Sequence, residues 1–190
     1  LAIGNDARRR WLAESTASDR SRPSMLSGGT AADDYTIAAG GITVVADRGS
    51  PKGKKMGDLV TGLGGQPSDW TVQPVGDHEL LLRQATPADA SVTCVLLADP
   101  FGRLDANHKL ERFRFSRSPR GQRDLTLAQL MKQASMNSPL TYQDLQSDPT
   151  WSGSANGAAW LNDLRIQLGS TSFNASIGSG LQQLAGSVSG

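Results

Sequence analysis

The chain has 190 residues and a net charge of +1, so it is long enough for one domain with a core and lacks the high charge typical of full disorder. Its 37% hydrophobic content and 21 glycines predict a modest core with much loop. The single cysteine, Cys94, excludes an internal disulfide framework, and its apolar neighbours predict a buried thiol. No apolar run approaches the roughly 18 residues of a membrane-spanning helix, so we predict no transmembrane segment.

Residues 1–34 are predicted to form a short helix followed by an extended arm. Residues 6–14 fit the helix, with Asp6 near its start, and the stretch that follows is rich in Ser, Gly and Asp. Aromatic and Arg side chains are common anchors of interfaces, so we expect this helix to dock on a neighbouring subunit. The residues expected to make that contact are Arg8, Arg9, Arg10 and Trp11.

Residues 35–123 are predicted to form a β domain. Short β-branched and apolar runs alternate with Gly, Pro and Asp clusters, a spacing typical of antiparallel sheets. The resulting fold class is mainly β: a small antiparallel barrel or sandwich with flanking helices and extended N- and C-terminal arms. The predicted strands are Tyr35–Ala38, Ile42–Ala46, Trp70–Gln73, Glu79–Arg83, Val92–Leu97 and Leu110–Phe115.

Residues 124–168 are predicted to be a helical segment. Leu127, Leu130 and Met131 give one apolar side to a helix that Asp124 or Thr126 would cap. Residues 158–168 fit a second helix, which Gly169 would end.

Residues 169–190 are predicted to form a C-terminal arm that another subunit orders. No charged side chain occurs from Ile166 to Gly190, and apolar residues recur there at helical spacing. Gly178, Gly180 and Gly186 interrupt this apolar series, each costing roughly 1 kcal/mol relative to Ala in a helix, so the arm has little ability to fold alone. The expected contact residues are Ile177, Leu181, Leu184 and Val188.

A basic constellation follows the last predicted strand. Phe113 and Phe115 alternate with arginines, so we expect the rings to face the core and the cations to face outward. The partner is either acidic protein or the phosphates of nucleic acid, and the small net charge favours protein. The members of the predicted patch are Arg112, Arg114, Arg117, Arg120 and Arg123.

No catalytic residue, metal ligand or cofactor is predicted. Residues 49–55 follow a strand but lack the glycine spacing and the Ser or Thr of a phosphate-binding loop. Asp99, Asp105 and His108 share one loop, where a solvated loop is favoured over a loose metal site. A catalytic site assembled from scattered residues stays open as an alternative.

Two resemblances bear on function. The run Val44–Asp58, followed by Trp70–Gln73 and Glu79–Arg83, resembles the periplasmic homology region of type II secretion and type IV pilus assembly proteins, with Gly57-Asp58 as its sharpest element. That resemblance implies a small barrel in the cell envelope. In composition, the β domain, Arg-rich hairpin and uncharged arms resemble minor virion proteins of tailed phages.

The sequence therefore predicts a non-enzymatic structural subunit of a large assembly, a phage virion component in the capsid, neck or tail. Its expected partners are other subunits of that assembly, and its expected location is the virion. The first alternative is a periplasmic or envelope subunit of a secretion, type IV pilus or conjugation machine. Leu1 is an unusual natural start, which leaves open whether a signal peptide or anchor preceded it. The second alternative is an enzyme with a scattered site.

Overall fold

The described residues form two β-sheets, one α-helix and a short 3-10 turn at Pro67–Asp69. The computed structural model describes residues 2–3, 10–12, 24–28, 32–47, 57–76, 79–84, 92–103, 109–117, 124–141, 144 and 147. The helix is α1 (Leu127–Gln133). The strands are β1 (Ala2–Ile3), β2 (Arg10–Leu12), β3 (Ser24–Ser27), β4 (Asp34–Thr36), β5 (Ile42–Ala46), β6 (Leu59–Leu63), β7 (Trp70–Val75), β8 (Glu79–Gln84), β9 (Cys94–Ala98), β10 (Arg112–Phe115) and β11 (Ser135–Met136).

Consecutive strands alternate between the two sheets over much of the chain. The large sheet has the order β1-β3-β5-β9-β8-β7-β11, and the small sheet has the order β10-β6-β4-β2. The pairs β1–β2, β3–β4, β5–β6 and β9–β10 therefore form successive tiers of a two-layer stack. Within each sheet the strands of neighbouring tiers run parallel, as in Ala2 beside Leu26 and Trp11 beside Tyr35.

The mainly β prediction is confirmed, but the antiparallel arrangement is wrong for most of the stack. Only β7–β8 and β8–β9 pair antiparallel among the described strands. The reason lies in the connections: the turn at Gly40 carries the chain from β4 in the small sheet to β5 in the large one. A strand that returns to the same sheet after visiting the other one runs in its original direction. The two sheets are not closed into a barrel.

The N-terminal helix prediction is also wrong where the structure describes that segment. Arg10–Leu12 form β2 and pair with β4. Pairing with β4 satisfies the backbone groups of this segment through the sheet, and this tertiary contact outweighs the high helix propensity of Arg and Leu. The first 34 residues thus supply strands to both sheets.

The core lies between the sheets. One cluster of buried side chains combines Val45 and Val95 of the large sheet with Val60 and Phe113 of the small sheet. Trp70 joins this cluster, packs edge-on against Phe115 with 6.1 Å between ring centroids, and donates from Nε1 to the Gly64 carbonyl at 2.7 Å. The burial of Phe113 and Phe115 confirms their predicted inward orientation.

Helix α1 closes one side of the core. Its buried Leu127 and Leu130 belong to the core cluster, as predicted from their spacing. Thr126 is the cap: its Oγ1 accepts from the Gln129 N–H at 3.3 Å, and Gln129 Oε1 accepts from the Thr126 N–H at 2.8 Å. This reciprocal pair fixes where the helix begins. No described helix is long and apolar enough to cross a bilayer.

Candidate functional site

Three buried aspartates converge where the tiers meet. Asp33 precedes β4, Asp47 follows β5 and Asp58 precedes β6, and one carboxylate oxygen of each lies within 4.8 Å of the others. All three side chains are buried. Because β5 belongs to the large sheet and β4 and β6 to the small one, the cluster spans both layers.

Tyr35 and Gly28 complete the acidic cluster. The Tyr35 hydroxyl donates to Asp47 Oδ1, and the Asp33 N–H donates to Asp58 Oδ1 at 2.7 Å. A Cβ on Gly28 would overlap the Tyr35 hydroxyl and approach Asp33 Oδ2 and Asp47 Oδ1 to 2.6 Å each. Gly28 therefore lies directly over the carboxylates, and only a residue without a side chain fits there.

The electrostatics of the cluster hold Tyr35 in its neutral form. Burial of the ring, and next the negative charge of Asp47, raise the pKa of Tyr35 well above its usual value. The hydrogen bond to Asp47 and the charges of Asp33 and Asp58 act in the same direction. The tyrosine is thus a stable hydrogen-bond donor to the cluster rather than an acid at neutral pH.

The carboxylate oxygens of the acidic cluster are suited to one class of ligand. Carboxylate oxygens are the preferred ligands of hard cations such as Ca²⁺ and Mg²⁺. Each aspartate also makes other polar or electrostatic interactions within the protein. The cluster is closed, since its carboxylates and Tyr35 are fully buried, and a substrate could not reach them without opening the tiers.

A second polar cluster flanks the first and includes two of the predicted basic residues. Asp124 accepts from Arg114 Nε at 2.6 Å and Nη2 at 3.0 Å, and from Arg112 Nη1 at 3.1 Å. Its hydrogen bond raises the pKa of Arg114, so the guanidinium stays charged. The side chains of Arg112, Arg114 and Asp124 are 21%, 31% and 18% exposed, so these arginines lie at the surface but carry their own anion.

The Gly57-Asp58 pair joins the two clusters. Arg112 Nη2 donates to the Gly57 carbonyl at 2.7 Å, and Glu111 Oε2 accepts from the Asp58 N–H at 2.8 Å. A Cβ on Gly57 would overlap the Glu111 carboxylate. Gly57-Asp58, the most specific part of the resemblance to secretion and pilus assembly proteins, therefore lies between the acidic cluster and strand β10.

Replacing Asp124 with Asn is expected to lower the free energy of unfolding by about 1–3 kcal/mol, because two half-buried guanidinium groups lose a shared charged acceptor. Urea unfolding followed by circular dichroism measures this change. Asp69→Asn, which alters an exposed turn carboxylate that accepts from the Gln66 N–H, is the matched control and should have a smaller effect. Equal stability of Asp124→Asn and wild type would contradict the assignment.

The remaining residues that the sequence singled out are located as follows where the structure describes them. Arg10 and Trp11 lie on β2, at the edge of the small sheet. Arg117 is exposed, and its N–H donates to the Gly65 carbonyl at 2.7 Å. Cys94 is buried, as predicted. The predicted positions outside the described residues are Arg8, Arg9, Arg120, Arg123, Ile177, Leu181, Leu184 and Val188.

The loop site weighed at Asp99, Asp105 and His108 is described only at Asp99. Its Oδ1 accepts from the Arg103 N–H at 2.7 Å, and its φ of 44° is left-handed. Asp99 therefore shapes a tight turn after β9.

Sequence reasoning missed the acidic cluster altogether. Its three aspartates are far apart in the chain and match no spacing motif. One usable signal was the position of Asp47 and Asp58, because each lies directly beside an apolar strand, where a carboxylate is costly unless it is paired.

Comparison with known proteins adds no relative. The chain matches no protein-family model, and searches of curated proteins and of solved structures find no significant match.

Proposed function

We propose that this chain is a non-enzymatic structural subunit of a large protein assembly, and that the assembly is a bacteriophage virion. The observation that carries the proposal is the open end of the stack, formed by β1 and β2. β1 is the terminal strand of the large sheet, and β2 is the terminal strand of the small one. In the described part of the chain no strand pairs with the outer edge of either.

The two ends of the stack differ. At the far end of the small sheet, β10 is bridged by Leu125, whose N–H and carbonyl each bond Phe113 at 2.8 Å. The large sheet continues beyond β9 through the hairpin β7–β8 to the short β11. The β1–β2 end has no comparable cover among the described residues, and unpaired edges are templates for strands of another chain.

The edge that β2 presents includes two of the residues predicted to dock. A neighbour that adds a strand beside β2 would run along Arg10–Leu12, where Trp11 and Arg10 are interface-type residues. The uncharged arm with Ile177, Leu181, Leu184 and Val188 supplies the second contact to the same assembly. Its lack of charge suits burial against protein.

The pairing of Arg112 and Arg114 with Asp124 favours protein over nucleic acid as the partner of the basic strand. Counterion release by phosphate binding depends on cations that are free to meet phosphates. Two of the five predicted cations already have an anion within their own chain.

The second candidate is an envelope subunit of a secretion, type IV pilus or conjugation machine, located in the periplasm. The contacts of Gly57-Asp58 support this candidate, because this pair carries the resemblance to the secretion and pilus proteins and is held by hydrogen bonds to Arg112 and Glu111. A virion subunit co-purifies with particles, whereas an envelope subunit fractionates with membranes.

Changing Arg8, Arg9 and Arg10 to Ser together with Trp11 to Ala should weaken self-association or incorporation into particles at least tenfold. Loss of aromatic and Arg anchors commonly costs about 2 kcal/mol or more, and each 1.4 kcal/mol is roughly tenfold in affinity. Analytical ultracentrifugation of the isolated chain and particle co-sedimentation measure the two quantities.

The matched control replaces Arg103, Lys109 and Lys132, three exposed cations elsewhere, with Ser. It removes the same charge and should assemble normally. Circular dichroism establishes that both variants keep the folded body. Normal assembly of the Arg/Trp variant would overturn the docking role of the β2 edge.

A further inference from the structure

Both sheets end in the same tier, the first, which consists of β1 and β2. Among the described strands, β1 pairs only with β3 and β2 pairs only with β4. Stacked sheets lie about 10 Å apart, so this tier presents two strand edges side by side. A partner that satisfies both edges must itself carry two unpaired strands at that separation.

Among the described elements, the opposite end of the stack does not offer such a pair of edges. β10, the last strand of the small sheet there, is bridged by Leu125. The large sheet continues past β9 through three further strands, β8, β7 and β11. A head-to-tail contact between copies would therefore extend one sheet but not both, whereas the first tier of a second copy matches both edges.

We propose that the first tier docks on the first tier of a second copy of this chain. This inference rests on the structural role proposed above and gives the β2 edge a specific partner. A two-fold axis perpendicular to the sheets sets β1 against the β1 of the second copy and β2 against its β2, antiparallel in both layers. Trp11 has the register position of Tyr35 and Val60, two core residues, so the core row of the stack reaches this contact.

Charge selects the register of the β2 pair. β1 carries no charged residue, and Arg10 is the one charged residue of β2. Like charges directly opposite each other destabilise an antiparallel pair. Pairing centred on Trp11 sets each Arg10 opposite Leu12 of the other copy and keeps the two cations apart, so this register is favoured.

The contact is small, which makes the dimer weak. β1 has 2 residues and β2 has 3. Strands of that size are about 7–10 Å long, so one tier covers on the order of a few hundred Å². A stable interface buries about 800 Å² per partner. We therefore expect a reversible association that covalent trapping can record.

Disulfide trapping of the full chain in a Cys94→Ala background tests both the partner and the register. Opposite residues of an antiparallel pair have Cα atoms about 4.5–5.5 Å apart, within the range of a disulfide. A mixture of Arg10→Cys and Leu12→Cys chains should cross-link at least tenfold faster than either chain alone, because the same position in the two copies lies roughly 8 Å apart. The control Thr36→Cys, beside Leu12 but one tier inward, should not cross-link.

Three results would overturn the proposal or its register. Cross-linking of the mixture no faster than that of Thr36→Cys shows that the β2 edges of two copies do not meet. Faster cross-linking of Arg10→Cys alone rules out the register centred on Trp11. Protection of the β2 amides from hydrogen exchange that persists unchanged on dilution shows that the chain covers its own edge.

Failure of this self-contact is distinguishable from failure of the proposed function. A chain that does not pair with itself, but loses incorporation into particles in the Arg/Trp variant, docks through β2 on a different subunit. That result overturns the self-contact and keeps the structural role. A chain that neither pairs with itself nor loses incorporation in that variant overturns both.

Discussion

Replacing Gly62 with Ala is expected to lower the free energy of unfolding by about 3 kcal/mol or more. Gly62 has a φ of +79°, which costs an L-residue about 1–2 kcal/mol. A Cβ there would also overlap the Ile37 carbonyl oxygen and come within 2.9 Å of the Ile37 backbone nitrogen. Backbone cannot rotate aside as a side chain can, so overpacking adds roughly 1–3 kcal/mol.

Two nearby glycines separate these causes. At Gly65 the φ is +69° but the nearest obstacle is the flexible Asp69 carboxylate, so Ala should cost about 1–2 kcal/mol. At Gly64, where no positive φ occurs, Cβ would lie 3.1 Å from the amide end of Gln84, and the cost should stay below about 1 kcal/mol. Urea unfolding of the three variants gives the order. A Gly62→Ala protein no less stable than Gly64→Ala would contradict the close approach of β6 to Ile37.

Local patterns predicted the elements well and their arrangement poorly. Apolar and β-branched runs placed β5, β8 and β9 close to their observed bounds, and the cap at Thr126 placed α1. Turn residues mark where a strand ends but not whether the chain makes a hairpin or crosses to another sheet. The signature of crossing was present, because β5 and β9 are apolar at nearly every position, as strands buried on both faces are.

The repeated tiers could not be recognised from the sequence either, because the number of residues between successive tiers differs. Ser24 pairs with Thr43 of the next tier, which follows it closely in the chain. Ile42 pairs with Cys94, which lies much further along the chain because the hairpin β7–β8 is inserted between the third and fourth tiers. No fixed sequence period survives such an insertion. The short strands β1 and β2 carry too few residues for any pattern, and their pairing depends on tertiary contacts with β3 and β4.

The polar sites were predictable only in part. Alternation along β10 correctly placed Phe113 and Phe115 inside and the arginines outside. It could not show that Asp124, on the next described segment, would form ion pairs with both Arg112 and Arg114. The acidic cluster depends on the meeting of three separate chain turns, so its chemistry arises from topology rather than from any local motif.

Replacing Tyr35 with Phe is expected to lower the free energy of unfolding at pH 7 by about 1–3 kcal/mol. The variant removes the hydroxyl that donates to Asp47 and leaves a buried carboxylate with one donor fewer. The ring itself stays, so the core cluster keeps its packing. Urea unfolding at pH 7 measures this difference.

The same pair of proteins should converge in stability at alkaline pH. The pKa of Tyr35 in the folded protein is raised above the ordinary value near 10, chiefly by burial and by the charge of Asp47. Between those two pKa values the unfolded chain releases the phenolic proton and the folded chain keeps it, so rising pH favours unfolding. Stability contributed by Tyr35 is therefore complete below about pH 10 and falls by about 1.4 kcal/mol per pH unit above it. Because Tyr35→Phe lacks this proton, its disadvantage should shrink as the pH rises from 10 to 11.

Absorbance at 295 nm provides an independent reading of the same group. Tyr142 is the only other tyrosine, so a Tyr142→Phe background makes the tyrosinate signal specific for Tyr35. We expect no ionisation near pH 10 in the folded protein and an abrupt rise that coincides with alkaline unfolding. Titration of Tyr35 near pH 10, while circular dichroism still reports the folded state, would show that the hydroxyl is not enclosed by the three aspartates. The closed cluster would then have to be abandoned, together with the role of Gly28 as its cover, because an accessible phenol needs an open path to water.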